Sequence, residues 1–165
     1  MKNKKLDGFV VRPAQTSDCV AMKNIINTHA AHGLMRPKSI SQLRVRLLHY
    51  FVADLNSKII GVCGLKIWPD DGVEIISSAV LREFHNQGVG VALNQQIIDT
   101  AASRGFAKFF VLTKQPGFYA KLGFVEISKC MLANKTYEDC SGCAENTSED
   151  IGHILCSDIA MQLLL

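Results

Sequence analysis

The chain lacks long apolar runs, and none approaches the roughly 20 residues that a membrane-spanning helix requires. It also lacks a strong charge of either sign. Eighteen Lys and Arg against fifteen Asp and Glu leave a formal net charge of +3, too mild to predict a nucleic-acid surface. No apolar segment follows Lys2, Lys4 and Lys5 before Phe9, so no secretory leader is expected and the expected address is cytoplasmic. In that compartment the six cysteines are expected as thiols or metal ligands rather than as a disulfide framework. Internal repeats and linker-like stretches are missing as well. What is there is an ordinary globular composition, 48% hydrophobic and 20% charged, in 165 residues. One domain over 1–165 is expected, with a flexible basic tail at 1–8.

Hydrophobic spacing divides the chain into short elements. Residues 9–12 predict a strand closed by Pro13. Thr16, Ser17 and Asp18 offer capping side chains for a helix carrying Val20, Met22, Ile25, Ile26 and His29, which ends at Gly33. Ser39 is the predicted N-cap of a second helix with Leu43, Leu47 and Leu48. Residues 51–53 and 59–65 flank a hairpin turn, and 73–80 form the next strand. After Gly88, the residues Val91, Leu93, Ile97, Ile98 and Ala101 mark a helix that stops at Gly105. Residues 109–112, apolar throughout, read as a central strand. A short helix at 115–122 and strands at 124–127 and 158–165 complete the pattern. An irregular, cysteine-bearing insertion at 128–157 separates the last two strands. The order βααβββαβαββ predicts an α/β fold with a mixed, antiparallel-rich central sheet and about four helices.

The most telling junction joins the third of these strands to the next helix. Val80-Leu81-Arg82-Glu83-Phe84-His85-Asn86-Gln87-Gly88-Val89-Gly90 is a strand end, a polar turn with two glycines, and a helix start. Glycines there leave successive backbone N–H groups uncovered. Continued by the positive end of a helix, such a turn binds phosphate oxygens.

That order of elements resembles the GNAT superfamily of acyl-CoA-dependent N-acetyltransferases, and three segments carry the resemblance. His85-Asn86-Gln87-Gly88-Val89-Gly90 is similar to the family's Q/R-x-x-G-x-G/A pyrophosphate loop, with His85 in place of Arg or Gln. Phe118-Tyr119-Ala120-Lys121-Leu122-Gly123-Phe124 is similar to the F-Y-x-x-x-G-F segment beside the thioester. Glu74-Ile75-Ile76-Ser77-Ser78-Ala79-Val80 matches the strand whose edge pairs with the pantetheine arm. The resemblance implies a GNAT-like fold and acetyl-CoA as co-substrate. It places Ala79, Val80, Leu112, Thr113 and Phe118 along that co-substrate, together with the loop residues His85, Asn86, Gln87, Gly88, Val89 and Gly90.

A narrower resemblance is to short amino-acid N-acetyltransferases of the N-acetylglutamate synthase type. It rests on Gly33-Leu34-Met35-Arg36-Pro37-Lys38-Ser39, on the run from Val111 through Pro116 to Tyr119, on Lys135-Thr136-Tyr137-Glu138-Asp139-Cys140 with Cys143, and on Cys156-Ser157-Asp158-Ile159-Ala160-Met161. It implies an acceptor site containing Arg36, Lys38, Ile76, Ser78 and Lys135. That subfamily carries arginine where this chain has Ile76, which removes a bidentate grip on a carboxylate. Strand alternation puts Ile76 on one face with Glu74 and Ser78.

Glu74 matches the catalytic glutamate of histone-type relatives and is the expected general base; a structural ion pair is the competing role. Tyr119 is the expected acid for the departing thiolate, against a role as a packed aromatic. Cys140, Cys143, His153 and Cys156 have the donor set of a zinc site, although reduced thiols with no metal are favoured. The expected activity is acetyl-CoA-dependent acetylation of the α-amino group of a small amino acid, with glutamate as the leading case. Another small amine, a protein N-terminus or lysine, or a non-catalytic CoA sensor are the alternatives. Expected partners are the small acceptor alone, without nucleic acid or membrane. The apolar strand at 160–165 suits a central position or a homodimer contact.

Overall fold

The computed structural model describes residues 6–140, 143 and 156–165. The predicted order of elements is borne out. Strands β1 (Val10–Pro13), β2 (Tyr50–Leu55), β3 (Lys58–Trp68), β4 (Gly72–Val80), β5 (Lys108–Thr113), β6 (Val125–Glu126) and β7 (Ile159–Leu164) form one sheet. Its order is β1-β2-β3-β4-β5-β7-β6. Pairing is antiparallel for β1–β2, β2–β3, β5–β7 and β6–β7, and parallel for β4–β5. The parallel pair requires a crossover, which α3 supplies. The helices are α1 (Cys19–Ala31), α2 (Ile40–Val45), α3 (Val89–Ala102), α4 (Pro116–Ala120) and α5 (Ala133–Lys135). The fifth was not expected. It lies in the segment read as irregular and runs into a wider turn, Thr136–Cys140.

The chain divides into two compact units, Met1–Leu65 with Ile75–Ser103, and Lys66–Glu74 with Arg104–Leu165. In the first, α1 buries Cys19, Met22, Ile25 and Ile26 against Leu43 of α2 and against Tyr50, Val52, Val62 and Ala79 of the sheet. Ser39 caps α2 reciprocally: its hydroxyl accepts from Gln42 N–H, and Gln42 Oε1 accepts from Ser39 N–H. The β2–β3 hairpin turns on Asn56 and Ser57, both left-handed, which is the geometry that matches strand twist. Arg12 joins β1 to its neighbours through a forked bond to Asp18, at 2.7 and 3.1 Å, and a bond to Asp54 at 3.0 Å.

Strand alternation fails within β4. Ser77 in β4 is left-handed, with φ of 52°. Ile76 packs on the cluster that contains Val62, whereas the Ser78 hydroxyl bonds to Asn94, which also meets Cys63. Val62 and Cys63 are successive on β3 and point to opposite faces. Ile76 and Ser78 therefore do not share a face, contrary to simple alternation, because the left-handed backbone at Ser77 breaks the extended geometry that alternation assumes.

In the second unit, Phe110 and Ala160 pack with Trp68 and Leu132, flanked by Leu112 and Ile127. Leu132 comes from the segment at 128–157 and is completely buried. The predicted central strand β5 is central, paired to β4 through Val73 and Glu74 and to β7 along its length.

Candidate functional site

In the first unit the glycine turn is built from β4 into α3. Leu81 N–H bonds back to Ile60 O, and a single helical turn at Arg82–Phe84 follows. Asn86 and Gly88 are both left-handed, at φ of 59° and 89°. Gly88 is the N-cap of the 14-residue α3, and neither a side-chain cap nor a first-turn acid occurs there among the described residues. The first N–H groups of α3 thus have no intrahelical or side-chain cap acceptor among the described residues, and the helix dipole lies behind them. Val89 is fully buried and anchors the turn, and Gly90 O accepts from the Asn94 side chain at 2.8 Å. The Gln87 side chain donates to Glu83 O, while Gln87 O accepts from Leu6 N–H. Leu6 belongs to the stretch expected as a free tail; here it is tied to the turn.

His85, the residue that departs from the family pattern, is exposed and bonds through Nε2 to Val80 O at 2.8 Å. His29 of α1 bonds to the same oxygen, also at 2.8 Å. A carbonyl only accepts, so each ring donates from Nε2. Ala79 is buried in the apolar cluster. Of the expected acceptor residues, Arg36 is exposed, and the backbone of Lys38 is held on both sides by Asn27. Ile76 packs in apolar surroundings and Ser78 is held by Asn94. Asn94, fully buried and bonded to both Ser78 and Gly90, was missed from sequence; only its polar character inside an apolar helix pattern hints at it.

The second unit holds a buried polar cluster around Glu74. The Trp68 indole N–H donates to Glu74 Oε2 at 2.7 Å, and Lys135 Nζ lies 2.9 Å from Oε1. Lys135 also bonds to Asp139 Oδ2 at 2.8 Å, one helical turn onward. Lys66 Nζ lies 3.5 Å from the same Asp139 oxygen and 3.4 Å from the Trp68 ring centroid. The Asp71 carboxylate accepts from Lys135 N–H at 2.8 Å, and Asn134 bonds to Pro69 O. Burial opposes the Lys135 charge, but Glu74 and Asp139 outweigh it and raise its pKa above the ordinary lysine value. Lys135 was expected on the acceptor; its ammonium is engaged with Glu74 and Asp139. Trp68 and Asp139 were missed, although Asp139 stands four residues after Lys135 on what proves to be a helical turn.

Tyr119 in α4 is buried and makes edge-to-face contacts with Phe118 at 5.0 Å and Phe124 at 5.5 Å between ring centroids. Leu112 and Thr113 end β5, and Thr113 Oγ1 accepts from Gln115 N–H. Of the zinc candidates, Cys140 is buried and Cys143 and Cys156 are half-buried; His153 lies outside the described residues. Among the described residues no three His, Cys, Asp or Glu side chains stand together as a metal-holding group. Lys129 Nζ bonds to Cys156 O at 2.6 Å. No helix among the described residues is long and apolar enough to cross a membrane.

Comparison with known proteins places these features in context. The model of the acetyltransferase (GNAT) family matches residues 24–124. An uncharacterized N-acetyltransferase of Chlorobaculum tepidum is 32% identical over 151 residues, 92% of this chain and 93% of that protein. An amino-acid acetyltransferase of Mycobacterium tuberculosis is 31% identical over 134 residues, 79% of this chain and 76% of that protein. Among solved structures, Rv2747 from Mycobacterium tuberculosis, in complex with CoA and NLQ, superposes with a TM-score of 0.76 at 29% identity. That match covers 94% of this chain and 99% of the other. N-acetylglutamate synthase from Neisseria gonorrhoeae, complexed with coenzyme A and N-acetyl-glutamate, shares the fold at a TM-score of 0.77 and 20% identity. This chain covers 36% of its length.

Proposed function

The chain belongs to the acetyltransferase (GNAT) family, and from that premise we propose that it transfers the acetyl group of acetyl-CoA to the α-amino group of a small amino acid. The observation that carries this reading is the uncapped N-terminus of α3 behind left-handed Gly88. Its residues fit a pyrophosphate: helix N-terminal N–H donors, a left-handed glycine at the cap, and no carboxylate in the first turn. The amino-acid acceptor is supported by the relative named as an amino-acid acetyltransferase, aligned over 79% of this chain.

In the proposed reaction the amine nitrogen attacks the thioester carbonyl carbon. A C–N bond forms, the C–S bond breaks, and the electron pair leaves on sulfur. Glu74 takes the proton released from the amine, directly or through one water, and the Tyr119 hydroxyl delivers a proton to the thiolate. Much of the acceleration comes from holding amine and thioester in contact. Ile76 in apolar surroundings favours an acceptor whose side chain makes no carboxylate contact at that point, which leaves glutamate one member of the class rather than its defined substrate.

Thiol release from acetyl-CoA, followed with a panel of amino acids, amines and peptides against buffer alone, tests the proposal. Release with free amino acids and not with peptides is expected. Binding of CoA without release for any acceptor would replace the enzyme reading by a sensor. Tyr119→Phe is expected to lower kcat by about 10²-fold, with acetyl-CoA affinity changed less than about twofold. An unchanged kcat, where chemistry limits turnover, removes Tyr119 as the acid.

A further inference from the structure

The acid–base reading of Glu74 leaves the side chains around it without a role. Glu74 is 5% exposed, and Lys135 6%. A charge so buried is costly unless paired and hydrogen-bonded. Here the pairing is divided: Lys135 Nζ takes Oε1 and the Trp68 indole N–H takes Oε2. The two donors come from different elements, α5 and β3, and converge on one carboxylate carried by β4. Lys135 is itself fixed twice more, by Asp139 on its ammonium and by Asp71 on its backbone N–H. Lys66 completes the cluster against Asp139 and the Trp68 ring. The residue paired with Glu74 on β5 is Phe110, which carries no charge.

The cluster sets the carboxylates of Glu74, Asp139 and Asp71 against the ammonium groups of Lys66 and Lys135, with Asp71 held by a backbone N–H. A carboxylate offers about four lone-pair sites, and the two named donors occupy one on each oxygen. The carboxylate is thereby fixed in rotation with acceptor capacity left on both oxygens.

We infer that Lys135, seconded by Trp68, is a positioning residue for Glu74: the two donors hold the carboxylate oriented so that its remaining lone pairs receive the proton of the attacking amine. This role rests on the reading of Glu74 as the general base, and it removes Lys135 from the set of residues that touch the acceptor. It also explains why a segment expected as an irregular insertion carries a buried lysine. The segment at 133–140 is the part of the chain that delivers the ammonium to Glu74.

The test is the pH profile of kcat/KM for Lys135→Met, Lys135→Arg and Glu74→Gln beside the unsubstituted protein. Lys135→Met is expected to lower kcat at pH 7 by about tenfold or more and to move the ascending limb to higher pH by about one unit. The KM for acetyl-CoA stays within about twofold. Lys135→Arg, which keeps the charge, recovers most of the loss. Full kcat in Glu74→Gln removes the base reading, and this inference with it. Lost kcat in Glu74→Gln, with an unmoved limb and normal kcat in Lys135→Met, overturns the positioning role and leaves the base reading standing. Asp139→Asn guards against a Lys135 variant that fails to fold. It removes a competing carboxylate while Glu74 stays paired, so the limb is expected to move the other way, to lower pH. A limb that stays in place there also overturns the inference.

Discussion

Single side chains tie the elements of this protein together at a few buried and half-buried charges. Arg12 is one such point, reaching from β1 to Asp18 ahead of α1 and to Asp54 on β2. Burial pushes the Asp18 carboxyl up, but the Arg12 fork and the Gln15 N–H outweigh it and hold Asp18 below its ordinary value. A carboxyl lowered on folding contributes stability above its unfolded range, and that stability is lost as pH falls through the folded value. Asp18→Asn is therefore expected to cost about 1–3 kcal/mol near pH 7. The difference in Tm between the variant and the unsubstituted protein should shrink below about pH 4. An equal gap at pH 3 and pH 7, measured by thermal melts, contradicts the assignment. The sequence singles out Asp18 only as a capping side chain and gives no sign of its pairing with Arg12, because pairing depends on which elements become neighbours.

At the scale of elements, the sequence was most legible where one residue type has one physical use. Ser39 marked the start of α2, and Gly88 marked the start of α3. The uninterrupted apolar run of β5 marked a central strand. It was least legible where an ordinary residue takes an unusual backbone, as Ser77 does in β4. Serine carries no signal for a left-handed position, so alternation predicted the wrong face for Ser78. Gly72 offers a test of how tightly β4 is held. Its φ is 103°, and a Cβ there would collide with the backbone of Lys108. Gly72→Ala is expected to destabilise the protein by about 1–3 kcal/mol in urea unfolding. A change below 0.5 kcal/mol, within the usual range for a surface substitution, shows that the approach is looser than this geometry.

For the whole molecule, folding and binding are coupled through the co-substrate. A ligand that binds only the folded state adds RT ln(1 + [L]/Kd), about 2.7 kcal/mol at one hundred times Kd. If the turn at Gly88 takes a pyrophosphate, CoA raises Tm strongly, whereas pantetheine, which has the arm without the phosphates, raises it little at equal concentration. Equal shifts place the main affinity elsewhere. The order of elements and the glycine turn ahead of α3 were determined by sequence, because each depends on residues close together along the chain, and the family resemblance supplied Glu74 and Tyr119 as the candidate base and acid. The tertiary structure decided what those residues are bound to. Lys135 stands 61 positions after Glu74, and no local rule of spacing predicts that its ammonium closes on that carboxylate. The pairing exists because β3, β4 and α5 fold together around Trp68, and a buried charge has to find its partner wherever the fold supplies one.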